Sequence, residues 1–309
     1  MRNKLKEKDR TEKLFIVENE VFCDIFNAIC FGGRKVIKEK EIVDAPVAGA
    51  FKYEGKVRGI DSDVSKYYRN ANLNIALLTI ENQSTLDSRM PLRVIGYEGA
   101  RYNVQYLNRA KYIYPVITII LNFNTHDRWS APKNLKECFK NNYPVELDEY
   151  INDYKIHVVD VAFLEENEIN KFNSDFKMIA DYYYQKRNKG SYDEYSKQVL
   201  KYPHQAFCML SVLTGDNSFE IAYNDYEETH KDDKEVTMEK ILDTLMNKGR
   251  LEGETIGRFE TLTKNLKSLI SKNHTFEESC ELLDVDEETK EKLLDTGEFS
   301  VDSFKQAFN

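Results

Sequence analysis

The chain has 309 residues, 41% hydrophobic and 31% charged, with 13 glycines and 6 prolines; this supports one or two packed domains and excludes a disordered or low-complexity chain. The net charge of −9 weighs against a nucleic-acid partner, but residues 227–309 hold 21 acidic and 12 basic side chains and so carry all of it. Residues 1–226 are neutral overall, and a neutral domain can still present a basic face.

The first fifteen residues, MRNKLKEKDRTEKLF, are polar and basic without an apolar stretch, so no signal peptide is expected. Helical spacing of Val21, Phe22, Ile25, Phe26, Ile29 and Cys30 predicts a helix over 17–31, stopped by Gly32-Gly33. A strand follows at 57–64. A second, Leu73–Gln83, is apolar on both faces, as in a central strand. Pro91 opens a helix running to about Asn108. Further strands are expected at 115–123, where the longest apolar run is too short to cross a membrane, and at 154–164. Helices are expected at 171–189 and 193–214. The charged segment 226–236, YEETHKDDKEV, reads as a linker, and everything after it reads helical. In KGRLEGETIGRFE, Gly249, Gly253 and Gly257 recur at spacing four, which fits either a surface for close helix approach or a flexible helix. Thr275 and Glu278 form a capping-box pattern, and Phe276, Leu282, Leu283, Leu293 and Leu294 would pack a helical hairpin. The order of elements is that of an α/β layer with a mixed sheet and a helical tail, divided as 1–226 and 227–309.

The five cysteines, Cys23, Cys30, Cys138, Cys208 and Cys280, include no C-x-x-C pair, and their odd number suits reduced thiols in a cytoplasmic protein. The five histidines make no zinc-binding pair. No glycine-rich nucleotide loop and no Ser-His-Asp pattern is present. Carboxylates remain. Asp61 and Asp63 would share one face of strand 57–64, and Glu81 and Gln83 share one face at the end of the next strand. If those strands pair, an aspartate and Glu81 meet at a sheet end. With the Asn82 carbonyl they form an all-oxygen site for Mg²⁺ or Mn²⁺. Such an ion would lower the pKa of a bound water and stabilise a phosphodiester transition state, with Gln83 holding the water. Glu20 and Asp24, one turn apart on the first helix, could add a ligand.

The strings LTIENQ (78–83) and RMPLRVIGYEGARY (89–102), in that order after Asp63, resemble the Rpn-family recombination-promoting nucleases and related PD-(D/E)XK nuclease family transposases. Their pattern is an Asp, a β-turn-β, an I-E-x-Q strand and a helix bearing R-x-x-x-Y, here Arg93 and Tyr97. VFCDIFNAICFGGRKVI, PVITIILNFN with WSAPKNL, DYKIHVVDV and KGRLEGETIGRFE resemble further segments in the same order, spanning most of 17–300. The resemblance implies a restriction-endonuclease-like core, with a mixed central sheet flanked by helices. It also implies metal-dependent DNA cleavage in recombination or transposition. Asp63, Glu81 and Gln83 would be catalytic, with Asp63, Glu81 and Asn82 around the metal and Arg93 and Tyr97 toward a phosphate. It favours Asp63 over Asp61, because Val64 and Lys66 continue the pattern. Two positions depart: Ile60 precedes the Asp pair where a basic residue is usual, and Glu98 stands where an Asp is often found. The alternative reading is a weakly active or inactive member that binds partners. DNA is the expected partner, and the C-terminal helices offer a route to homo-oligomers.

Overall fold

The computed structural model describes residues 11, 13–45, 48–53, 56–61, 63–70, 73–139, 143–192, 197–272, 274–286, 289, 290 and 293. They divide into two compact units, 1–240 and 241–309.

The first unit is built on a five-stranded mixed sheet. Its strands are β1 (Ile42–Asp44), β4 (Val64–Asn70), β5 (Leu73–Gln83), β6 (Val116–Asn122) and β7 (His157–Asp160), in the order β1-β4-β5-β6-β7. β2 (Ala48–Tyr53) and β3 (Lys56–Asp61) form a separate antiparallel hairpin. β4 runs antiparallel to β1 and β5, whereas β6 lies parallel to β5, and β7 parallel to β6. The parallel step needs a crossover, and helix α2 (Met90–Leu107) supplies it. Pro91 sits in its first turn, as its missing N–H predicts.

Alternation along β4 and β5 divides the side chains between two layers. Lys66 opposes Leu78 and faces α1 (Asn19–Phe31), where its Nζ reaches Asn19 and lies over the Phe22 ring. Ser65 and Thr79 share a hydrogen bond on the other face. On the α2 side, Met90, Val94, Ile120, Trp129 and Ile156 form a buried cluster. α1 ends at Gly32 in the left-handed conformation. Gly33, with φ of +88°, has no room for a Cβ, which would stand 3.0 Å from the Lys171 carbonyl oxygen. Helices α3 (Phe176–Lys189), α4 (Pro203–Thr214) and α5 (Ser218–Thr229) complete the unit.

Several expected boundaries move. The strand expected at 57–64 is two pieces: Asp61 pairs with Ala48 in the hairpin, Val64 pairs with Ile80 in the main sheet, and Asp63 lies at a bend before β4. Asp61 and Asp63 therefore do not share a strand face; an Asp-Ser-Asp sequence favours a chain turn over a continuous ladder. The helix expected at 193–214 begins only at Pro203. Before it, Val199 makes a bridge to Thr237, and 193–196 lie outside the described residues. The first four residues of the charged segment belong to α5, and Tyr226 is buried there, so the structural division falls later, at 240/241.

The second unit holds most of α6 (Met238–Ile270) and α7 (Phe276–Leu282). Thr275 caps α7: its hydroxyl accepts from the Glu278 N–H at 3.2 Å, and the Glu278 carboxylate accepts from the Thr275 N–H at 2.9 Å. Leu266, Cys280 and Leu293 form a small core with Phe276 and Leu283 against it. Leu282 is 61% exposed and stands outside that core, and Leu294 lies outside the described residues. A Cβ at Gly249, Gly253 or Gly257 would meet nothing within 4 Å, so among the described residues no helix uses that stripe for close approach. No described helix is long and apolar enough to cross a membrane.

Candidate active site

The carboxyl end of β5 is where the chemistry collects. Glu81 and Gln83 point to the α2 side, and Glu81 is fully buried. Antiparallel pairing of β4 with β5 puts Val64 opposite Ile80 and thereby brings Asp63 beside Glu81. The two residues then interlock: the Asp63 N–H donates to Glu81 Oε2 at 3.0 Å, and the Asn82 N–H donates to Asp63 Oδ2 at 2.8 Å. Backbone donors thus orient both carboxylates.

Two cations approach them. Arg93, one turn into α2, places Nη2 2.5 Å from Glu81 Oε1 and donates from Nε to the Tyr97 hydroxyl at 2.6 Å. Lys13, from the helical segment ahead of α1, places Nζ 3.0 Å from Asp63 Oδ1. Burial and the neighbouring Asp63 charge push the Glu81 carboxyl up to about 7, and Arg93 keeps it from rising further. The same buried surroundings, with the Glu81 charge second, push the Tyr97 hydroxyl up to about 12, so it remains a donor.

Asp63 and Glu81 supply two oxygen-donor side chains, the ligand type of Mg²⁺ or Mn²⁺, and among the described residues no third His, Cys, Asp or Glu joins them. Two carboxylates oriented by backbone N–H groups meet here, and burial first, then the Asp63 charge, raises the Glu81 pKa, while Arg93 pairs with Glu81 and Lys13 with Asp63. Asp63 and Glu81 would be the protein ligands. The Asn82 side-chain amide is buried with neither atom hydrogen-bonded, a cost that a bound water would relieve.

Of the residues singled out in the sequence, Asp63, Glu81, Arg93 and Tyr97 come together through direct contacts. Gln83 stands two residues beyond Glu81 on the same face, opposite Asn122 of β6. Arg93 pairs with Glu81, and its side chain is 38% exposed. Glu20 and Asp24 have other partners: Glu20 pairs with Lys201 at 2.9 Å, and Asp24 Oδ2 accepts from the Asn173 and Ser174 N–H groups, both at 2.8 Å. Glu98 is buried on α2, and burial raises its pKa against hydrogen bonds that include one from Tyr154.

Sequence reasoning missed Lys13, which no motif marks. It also missed the pair at the ends of β6 and β7, where Asn122 Nδ2 donates to Asp160 Oδ1 at 2.7 Å and the Trp129 N–H donates to the same oxygen at 2.9 Å. Both polar residues end apolar strands, the same signal that marks Glu81 and Gln83.

No match to the chain was found among curated proteins or solved structures. Residues 65–201, a segment that holds Glu81, Gln83, Arg93 and Tyr97 and begins two residues after Asp63, match the family model described as "Putative transposase, YhgA-like".

Proposed function

We propose that the first unit is a metal-dependent DNA endonuclease serving transposition or recombination. The observation that carries this reading is the interlocked pair of Asp63 and Glu81 at the carboxyl end of β5, with Glu81 fully buried and its pKa raised to about 7. Paired carboxylates in a buried place, one with a raised pKa, are a frequent feature of functional sites. Asp63 and Glu81 would hold Mg²⁺ or Mn²⁺, with the Asn82 carbonyl as a further oxygen. The ion would supply a more acidic bound water and charge for the phosphoryl oxygens. Arg93 and Tyr97 fix the Glu81 carboxylate in place, and Gln83 would accept or donate a hydrogen bond to the attacking water. Cleavage of supercoiled plasmid DNA, with and without Mg²⁺, tests the reading. The wild-type protein should cut with Mg²⁺ alone, and Asp63→Ala purified in parallel should not. Cutting that survives chelation would refute it.

One observation favours a second reading, a DNA- or protein-binding module without activity. Lys13 and Arg93 already neutralise both carboxylates. Under that reading the protein binds no divalent ion and Asp63→Ala changes neither DNA binding nor fold. The 241–309 unit would then be the interacting part, and a chain ended after Lys240 should fold but lose its partner.

A further inference from the structure

The carboxylates occupy the carboxyl end of β5. At its amino end a cavity of about 350 Å³ opens, lined by Arg69, Asn74, Lys111, Tyr112 and Tyr114 among others, and none of the described residues that line it is acidic. Residues 64–80, which form β4 and most of β5, contain no Asp or Glu. Neither do residues 99–126, which carry the last turns of α2, the loop into β6 and β6 itself. The neutral first 226 residues therefore do present a basic face, and it lies here.

The cations at this face are placed and exposed. Arg69 donates from Nε to Asn74 Oδ1 at 2.7 Å, and its guanidinium stands 5.3 Å from the Tyr67 ring. Its Nη groups make no hydrogen bond with a described residue. Lys111 Nζ stands 5.4 Å from the Tyr112 ring. Arg109 and Lys111 are exposed, and neither forms an ion pair with a described residue. Around them Tyr106, Leu107, Tyr112 and Ile113 are between 59% and 79% exposed, an apolar and aromatic grouping of the kind that marks a docking surface. Arg, Lys, Asn and Tyr side chains without acids are the groups that grip phosphate and sugar. Leu107 and Ile113 suit a minor groove, where apolar side chains wedge against base steps. Asn74 precedes Glu81 by seven residues on one strand, about 23 Å at 3.3 Å per residue. A duplex laid across one end of the strand therefore does not cross the other.

We propose that the cavity at the amino end of β5 is a second DNA site, where Arg69, Arg109 and Lys111 hold backbone phosphates of a DNA segment other than the one at the carboxylates. The inference rests on the endonuclease reading for the first segment. It lets one chain hold two segments at once, as an exchange of DNA strands requires. The rival role is structural: Arg109 and Lys111 follow the carboxyl end of α2 and would only offset its partial negative charge. That role leaves DNA binding untouched.

The test uses the full-length wild type, Lys111→Ala, the double variant Arg109→Ala with Lys111→Ala, and Lys111→Glu, each checked to be folded by its thermal unfolding profile. Binding of a fluorescent duplex of about ten base pairs, one helical turn, is followed by anisotropy. Ca²⁺ replaces Mg²⁺ there, because its looser coordination does not match an octahedral Mg²⁺ site. The wild type should bind two duplexes per chain. Lys111→Ala should still bind two, with the salt dependence of the weaker site reduced by roughly one phosphate contact. The double variant and Lys111→Glu should bind one. All should cut a saturating short duplex in Mg²⁺ within about twofold of wild type, since the two places are far apart. A wild type that cuts but binds one duplex per chain, or variants that all bind two with an unchanged salt dependence, overturns this inference alone. Thymidine monophosphate that displaces the second duplex as readily as unlabelled duplex does assigns the cavity to a free nucleotide and overturns it too. A wild type that neither binds duplex nor cuts overturns the endonuclease reading and this inference with it.

Discussion

Two buried charges lie close together in the same sheet and are treated in opposite ways. Lys66 on β4 is 2% exposed, and its partner Asp44 is 78% exposed. Asn19 accepts a second hydrogen bond from the Lys66 ammonium at 2.8 Å, and the Phe22 ring lies 5.7 Å away. None of these described partners carries a like charge, and its counter-ion remains hydrated. Glu81 on β5 is fully buried beside another acid, Asp63, with its cation Arg93 38% exposed. The Lys66 arrangement is a satisfied charge under a sheet. The Glu81 arrangement is a carboxylate held where its charged form is disfavoured, and the disfavour is left in place by its neighbours. Burial raises the Glu81 pKa most and the Asp63 charge adds to it, and this combination, absent at the described partners of Lys66, is what makes Glu81 the candidate.

The largest expected contrast is in activity. Asp63→Ala and Glu81→Ala should each lower Mg²⁺-dependent cleavage by at least about 10²–10³-fold, the size of losing one oriented transition-state contact or more. Lys66→Met should leave the rate within about threefold once folding is matched, because nothing at the site depends on it. A comparable loss in Lys66→Met would erase the distinction drawn above.

Stability should separate the two places next. Arg93→Met leaves Glu81 buried without its cation and should cost about 2–3 kcal/mol at pH 8 in denaturant unfolding. Lys66→Met leaves only an exposed aspartate behind and should cost about 1 kcal/mol or less.

The pH dependence sharpens the contrast further. The Glu81 carboxyl has an ordinary value of 4.5 and stands near 7 in the folded chain. A carboxyl raised in the folded state contributes stability that is full below the unfolded value and is lost as pH rises through the folded one. The ion-free protein should therefore lose stability between about pH 5 and pH 8, by on the order of 2 kcal/mol from this group. Glu81→Gln should flatten that part of the curve. An identical slope in wild type and Glu81→Gln would mean that Glu81 titrates normally.

The smallest effect concerns Gln83. If it positions the attacking water, Gln83→Ala should lower cleavage about tenfold. Gln83→Lys should retain or raise activity by adding charge near the developing phosphoryl charge. Indifference to both substitutions would place the water elsewhere.

Much of this was legible in the sequence where periodicity and local chemistry agree. The doubly apolar stretch of Leu73–Gln83 is a central strand, Pro91 does open α2, and Thr275 with Glu278 caps α7. The end of an apolar strand marks Glu81 and Gln83, whereas Asp63 in preference to Asp61, and Arg93 with Tyr97, are picked out by the resemblance to the Rpn-family nucleases. Other features depended on long-range packing. The strand break between Asp61 and Val64 follows from which partner each side pairs with, Ala48 or Ile80, and alternation along one segment cannot reveal that. Lys13 reaches Asp63 from fifty residues upstream in the chain, out of a basic stretch in which no residue stands apart. The pairing of Arg93 with Glu81 is likewise set by the packing of α2 on the sheet.

The most direct test of the central claim is a calorimetric titration of Mn²⁺ into the full-length protein and its Glu81→Gln variant at pH 6 and pH 8. Buffers of different ionisation enthalpy would count the protons released. Because the ion requires an ionised Glu81 whose pKa is about 7, the wild type should bind one ion about tenfold more tightly at pH 8, releasing close to one proton at pH 6 and few at pH 8. Glu81→Gln should lose most of this binding. Affinity independent of pH, or equal in the two proteins, would contradict the assignment of Asp63 and Glu81 as a metal site.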